Sequence, residues 1–280
     1  MDWGAPKQGG ENKIDKFFES LELVVAYTPV EVDPYGLATI KADCEYAKVN
    51  RTGGRQAIRG DAAESLAGKS WTFTVGPTGM MEDRSKLLDV IRQAGKLAFR
   101  ADTSQGLIKE PDMLYDFIAF QWFLWDSISS VPDPIKGVAV GGKWKSKLFV
   151  PAPMILFAAR DVNYQFDKVR PDPNNRIAVI DSSYSLLYPS PSDWPVPYTE
   201  VFQMSGMFGF LRDYKLLDLQ GQGQELFNID AGRTEQYTQK YTLRTRASLP
   251  FGLGGINPLI TIDQTLKMEL LTPPVAAEGR

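Results

Sequence analysis

The chain has no histidine, one cysteine, no strong excess of either charge and no long apolar run, and each absence removes a class of explanation. Without histidine it lacks the commonest general base, the usual activator of a serine or cysteine nucleophile, and the commonest zinc ligand. Catalysis would fall to carboxylates, lysine or tyrosine, so the expectation is a protein that is not an enzyme and uses no cofactor and no metal. With Cys44 as the only thiol, no intramolecular disulfide forms, and cysteine usage says nothing of the redox compartment. The 31 basic and 34 acidic residues, net charge -3, leave no footprint for neutralising a phosphate backbone, and nucleic acid is not expected as a partner. No stretch reaches the roughly 20 apolar residues that a spanning helix needs, and no signal-peptide core follows Met1. No transmembrane segment is expected.

What is there is a strand signature that occurs twice. It reads Gly36-Leu37-Ala38-Thr39-Ile40 with Trp71-Thr72-Phe73-Thr74-Val75, and again Ile177-Ala178-Val179-Ile180-Asp181 with Phe227-Asn228-Ile229-Asp230. Alternation of wet and dry positions marks half-buried strands. In residues 38 to 46 the dry set is Ala38, Ile40, Ala42, Cys44 and Tyr46; Cys44 reads as a buried packing thiol. In 260 to 270 it is Ile260, Ile262, Leu266, Met268 and Leu270, with Gln264 the one polar residue on that side. In 236 to 246, Tyr237, Tyr241 and Leu243 oppose Thr238, Lys240, Thr242, Arg244 and Arg246. Long antiparallel strands with one solvated face follow.

Helical spacing appears at 85 to 99, with Ser85 as N-cap, and at 111 to 128, where Pro111 suits a first turn. The second helix is apolar nearly all round from Phe117 to Trp125, which fits burial on several sides, insertion into a concave sheet, or exposure to an apolar medium. The fold class expected is therefore α+β and β-dominated: two related, curved antiparallel sheets with two helices covering or filling the concave face. The divisions are an N-terminal segment 1–20, a first β module 21–131, a linker 132–142 rich in proline and glycine, a second β module 143–272 and a tail 273–280. The proline-rich stretch 189–197 suits an exposed loop forming a rim or lid.

Two surfaces are candidates for function. Tyr115, Phe117, Phe120, Trp122, Phe123 and Trp125 could line a pocket for a lipid or other apolar small molecule, although such rings also fill cores. Lys143, Lys145 and Lys147 alternate on one face of a strand and could meet an anionic headgroup or acidic partner; lysines on an exposed strand also deter edge pairing. Asp112 and Asp116 share a helix face and read as first-turn acids rather than a catalytic pair. Glycine clusters at 141–142, 221–223 and 252–255 lack phosphate-loop spacing and read as hairpin turns and bulges. No group able to shuttle protons is expected beside the rings.

Asp33-Pro34-Tyr35-Gly36 with Ala38-x-Ile40, Leu66-Ala67-Gly68-Lys69 before Phe73-x-Val75-x-Pro77-x-Gly79, Pro132/Pro134 before Gly141-Gly142-Lys143-Trp144, and Gly223 to Phe227 to Gly232 together resemble an uncharacterised family of exported bacterial proteins, over most of 21 to 271. The resemblance implies an extracytoplasmic, periplasmic location with the leader removed, and brings no catalytic residues. At fold level the pattern also resembles the half-barrels of bacterial lipoprotein carriers. The aromatic helix against a curved sheet, with the half-barrel analogy as motive, gives the reading of a non-enzymatic carrier for a hydrophobic or amphipathic ligand held between sheet and aromatic helix. The alternative is a structural or protein-interaction subunit of an envelope assembly.

Overall fold

Alternating side chains draw most of the chain into strands. The computed structural model describes residues 1–6, 12–52, 60–150, 159–171, 175–187, 203–249 and 257–271. The first half contains β1 (Asp2–Pro6), β2 (Asn12–Ile14), β3 (Phe18–Val32), β4 (Ala38–Thr52), a 3-10 turn (Ala62–Leu66), β5 (Ser70–Val75), β6 (Met81–Asp83), α1 (Ser85–Leu97), β7 (Phe99–Asp102), β8 (Gly106–Lys109), α2 (Leu114–Phe123) and α3 (Asp126–Ser129). The second contains β9 (Lys143–Phe149), β10 (Ala159–Pro171), β11 (Arg176–Leu187), β12 (Gln203–Met204), α4 (Gly206–Phe210), β13 (Arg212–Asn228), β14 (Arg233–Ser248) and β15 (Leu259–Glu269).

The fold is α+β and dominated by curved antiparallel sheets. Four strands form one sheet in the order β3-β4-β5-β6, and eight form another in the order β2-β1-β15-β14-β13-β11-β10-β9. A third sheet joins the β7-β8 hairpin to β12, which runs parallel to β8. The N-terminal strands β1 and β2 extend the eight-stranded sheet beyond β15. Both halves of each sequence signature lie on neighbouring antiparallel strands: Ile40 faces Phe73 across β4 and β5, and Ala178 faces Phe227 across β11 and β13. The sheets around them differ, with four strands in one and eight in the other.

Several local details depart from the sequence reading. A bulge puts Glu45 between the pairs Cys44–Val25 and Tyr46–Val24, so Tyr46 turns outward, 43% exposed, while Ala47 turns in. Cys44 itself is buried. Ser85 begins α1 but is not its cap; Arg84 holds that position without a side-chain hydrogen bond. The helix expected over 111–128 starts at Leu114, where the backbone N–H donates to Asp112 Oδ1 at 3.1 Å, and it breaks at Leu124 and Trp125 before α3. Gly141 lies at a turn with φ 86°, as read, but Gly221 and Gly223 lie inside β13. Residues 252–255 and 189–197 fall outside the described chain.

The glycines of β13 have a packing reason. A Cβ on Gly221 would stand 2.5 Å from Tyr241 Cβ, 2.6 Å from the Lys240 carbonyl and 2.9 Å from Tyr184 Cδ2. The missing side chains let the Tyr184 ring lie down on the neighbouring strand. Gly221→Ala is expected to cost about 1–3 kcal/mol through overpacking, read as a lower urea midpoint with an unchanged slope. A wild-type midpoint would show that the sheet yields there without cost.

Helix α2 lies between the two cores, which explains a helix with no polar face. Ala119 and Phe123 pack into the core of the eight-stranded sheet with Trp144, Tyr164, Ile180, Tyr184, Tyr237 and Tyr241. Leu114, Phe117 and Ile118 pack into the other core with Cys44, Trp71, Phe73, Leu87 and Ile91. Residues 119 and 123 share one ridge and 114 and 118 another, so the 3.6-residue period serves a different sheet on each side.

Candidate functional site

The alternation that buries one side of the eight-stranded sheet also sends polar residues inward. On β10 the inward row begins with Arg160, followed by Val162 and Tyr164; on β14 it runs Tyr237, Gln239, Tyr241 and Leu243. Ser182 on β11, Glu225 on β13 and Gln264 on β15 occupy the same face. Register aligns Ser182 with Gly223 and Gly223 with Gln239, so a short polar row crosses the centre of the sheet, with the Tyr184 hydroxyl lying over Gly223.

Arg160 is fully buried. Its guanidinium carbon lies 4.2 Å from the centroid of the Tyr184 ring, 4.5 Å from that of Phe123 and 5.9 Å from that of Tyr241. Nη1 donates to Gln239 Oε1 at 2.5 Å. Nε and Nη2 have no hydrogen-bond partner among the described residues, nor does Gln239 Nε2. Tyr184 and Tyr237 join their hydroxyls at 3.1 Å, and Tyr184 meets Ser182 Oγ at 2.7 Å. Burial raises the pKa values of Tyr184, Tyr237 and Tyr241 around the arginine, keeping these tyrosines neutral.

Three carboxyl groups approach from the edges of this row, and they correct the expectation that nothing near the rings could exchange a proton. Asp126, at the start of α3, accepts from Ser146 Oγ at 2.9 Å while its Oδ2 is buried without a partner. Burial pushes its pKa up to about 7 against the opposing pull of Arg160. Asp116, on α2, accepts from Gln264 Nε2 at 2.7 Å, and Gln264 accepts from the Tyr241 hydroxyl at 2.7 Å. Burial raises Asp116 to about 7 as well. Glu225 accepts from the hydroxyls of Ser127 and Thr234, and burial raises it also. Trp144 fixes α3 over this region by donating to the Ser127 carbonyl at 3.0 Å.

The residues singled out from the sequence divide between the two cores. Phe117 is buried in the smaller sheet's core, and Trp122 and Trp125 pack against that core from its margin, Trp125 edge-on to Phe73 and Tyr27. Arg84 lies 4.8 Å over the Trp122 ring. Phe123 alone of the six joins the larger core cluster; Tyr115 is buried and stacks on Phe149, while Phe120 is partly buried. Lys143, Lys145 and Lys147 are exposed on the outer face of β9, the edge strand of the eight-stranded sheet, beside Gln165, Asn163 and Asp161 of β10. Asp112 and Asp116 diverge: Asp112 pairs with Lys109 and Asp116 with Gln264. An open depression of about 560 Å³ lies on the opposite side, where Gln220, Gln222, Lys240, Thr242, Asp263 and Thr265 face outward.

Sequence reading missed Arg160, Gln239, Glu225 and Asp126. Its one available signal was a polar residue interrupting an apolar row, visible at Gln264 and equally at Gln239 between Tyr237 and Tyr241. Among the described residues no group of three or more His, Cys, Asp or Glu side chains could hold a metal ion, and no helix is long and apolar enough to cross a membrane. A scan against protein-family models, a search of curated proteins and a search of solved structures each match nothing.

Proposed function

We propose that this is a non-enzymatic, extracytoplasmic binding or carrier protein that holds an amphipathic ligand between α2 and the concave face of the eight-stranded sheet. One observation carries the reading: four buried polar atoms have no hydrogen-bond partner among the described residues, namely Arg160 Nε and Nη2, whose guanidinium lies against the Tyr184 and Phe123 rings, Gln239 Nε2 and Asp126 Oδ2. Each such group costs about 1–3 kcal/mol when left without a partner. A guest with a polar end and an apolar body would offset that cost, with Phe123 and Tyr115 on its helix side. The extracytoplasmic location rests on the resemblance to exported proteins.

Lipid and small-molecule extraction from protein purified from its own host, followed by mass spectrometry, tests the proposal. A molecule recovered in near-stoichiometric amount is expected. Clean extracts from several independent preparations would count against a carrier.

A second reading, a structural or interaction subunit of an envelope assembly, is favoured by β3. This fifteen-residue edge strand pairs only with β4 among the described residues, and Phe18, Val30 and Val32 on it are exposed. An unpaired edge of that length is a template for strand addition. Cross-linking in cells would recover a partner through β3 on this reading and none on the first.

A further inference from the structure

We propose that the ligand's polar end is a carboxylate, bound side-on by the free edge of Arg160. The inference deepens the carrier reading and rests on it.

A guanidinium donates hydrogen bonds only in its own plane. Here Nη1 is committed to Gln239, and the rings of Phe123 and Tyr184 approach the guanidinium carbon to 4.5 and 4.2 Å. What is left is Nε and Nη2. These two N–H groups point the same way from one edge and form the two-pronged fork that matches the two oxygens of a carboxylate. Gln239 Nε2 supplies a further unbonded donor on the residue that already holds Nη1. No carboxylate among the described residues forms a direct ion pair with Arg160, although Asp126 acts on it through space, so the fully buried guanidinium has no salt-bridge partner. A buried charge of this kind is ordinarily paired.

Charge number narrows the class. One cation is available, and the carboxyl group of Asp126 already lies in its field, with Glu225 next to Asp126. A dianion such as a phosphate monoester would meet both acids with a surplus charge, whereas a monoanion balances Arg160. The rings around the fork favour an apolar body behind the head group. A medium-chain monocarboxylic acid has all of these properties.

The test is calorimetric titration of the full chain with decanoate, decyl sulfate, decanol and decylammonium. Saturable one-to-one binding of decanoate is expected, with each of the other three at least tenfold weaker. Arg160→Lys keeps the charge but loses the fork, and is expected to weaken decanoate at least tenfold while its circular dichroism matches wild type. Arg160→Met combined with Gln239→Leu removes the orphan groups together; it is expected to abolish decanoate binding and to unfold at no lower temperature than wild type. Should Arg160→Met with Gln239→Leu fail to fold, Arg160→Lys still decides the matter. Decanol binding as tightly as decanoate, or Arg160→Lys binding decanoate like wild type, would overturn the carboxylate assignment and leave the carrier reading standing. A native extract containing a ligand without an acid group would do the same. No binding of any of the four, together with clean extracts, overturns both.

Discussion

Lys109→Met is expected to destabilise the protein by about 3–5 kcal/mol, the usual consequence of stranding one member of a buried ion pair. Lys109 and Asp112 are both fully out of solvent and pair with each other at the start of α2. Burial lowers the pKa of Lys109, against the attraction of Asp112. Removing the ammonium leaves a carboxylate that also caps α2 through the Leu114 N–H. The neighbourhood is already acidic, since Asp61 stands nearby, accepting from Ala63 and Met113 N–H groups at 2.8 and 3.2 Å and pairing with Arg51. Adding Asp112→Leu to Lys109→Met should recover part of the loss, because no orphan charge then remains; the lost cap makes recovery incomplete. Urea unfolding of the three chains measures this. A loss under about 1 kcal/mol for Lys109→Met would mean that water reaches the pair.

Stability is expected to fall as pH rises from 5 to 7.5. Asp116 and Asp126 each have a folded pKa raised to about 7 by burial, and Glu225 is raised as well. A carboxyl whose folded pKa exceeds its unfolded value holds its proton in the folded state after the unfolded chain has released it. Across that window the folded state binds more protons, and each pH unit removes at most about 1.4 kcal/mol per group. Asp116 and Asp126 retain some solvent contact, so the total stays below the sum of full contributions. The surface carboxylates Asp83, Asp102, Asp133 and Asp230, exposed or half-buried, are shifted the other way by hydrogen bonds, and their contribution is lost only as pH falls from about 4 toward their lowered folded values. Lys109, with its lowered pKa, works in the opposite sense at alkaline pH. Asp116→Asn and Asp126→Asn should each flatten the slope. A stability that is level or rising between pH 5 and 7.5 would show these groups ionised in the folded protein at pH 5.

Much of the sheet structure was legible because a strand's period is short and local. The inward sets at 236 to 246 and 260 to 268 follow directly from alternation, and they fixed which side of β14 and β15 is buried; Leu270, read as dry, lies past the end of β15 and is exposed, because the pairing that enforces alternation has stopped. Tyr46 escaped the same logic because a bulge is set by the partner strand, here at Val24 and Val25. The glycines at 221 and 223 read as turns because glycine is the usual punctuation of a hairpin; the space they vacate is taken by Tyr184, far away in sequence.

The candidate site shows the division most sharply. Its aromatic helix was visible as a run without a polar side, and burial on more than one side was the natural reading; which ring serves which core was not, since that depends on how two sheets close around it. Arg160 reads as an ordinary strand residue until β10, β11 and α2 bring Tyr184 and Phe123 over it.

The sequence by itself determined a β-dominated chain with long half-solvated strands, one all-round apolar helix, and neither histidine chemistry nor a disulfide. Those properties depend on residue type and on periods of two and 3.6, which operate within a few neighbours. Only the tertiary structure decided that a buried arginine, a glutamine and three carboxyl groups share one interior. They come from β10, β13, β14, α2 and α3, and electrostatics in a dry interior acts through space between groups that the chain itself keeps far apart.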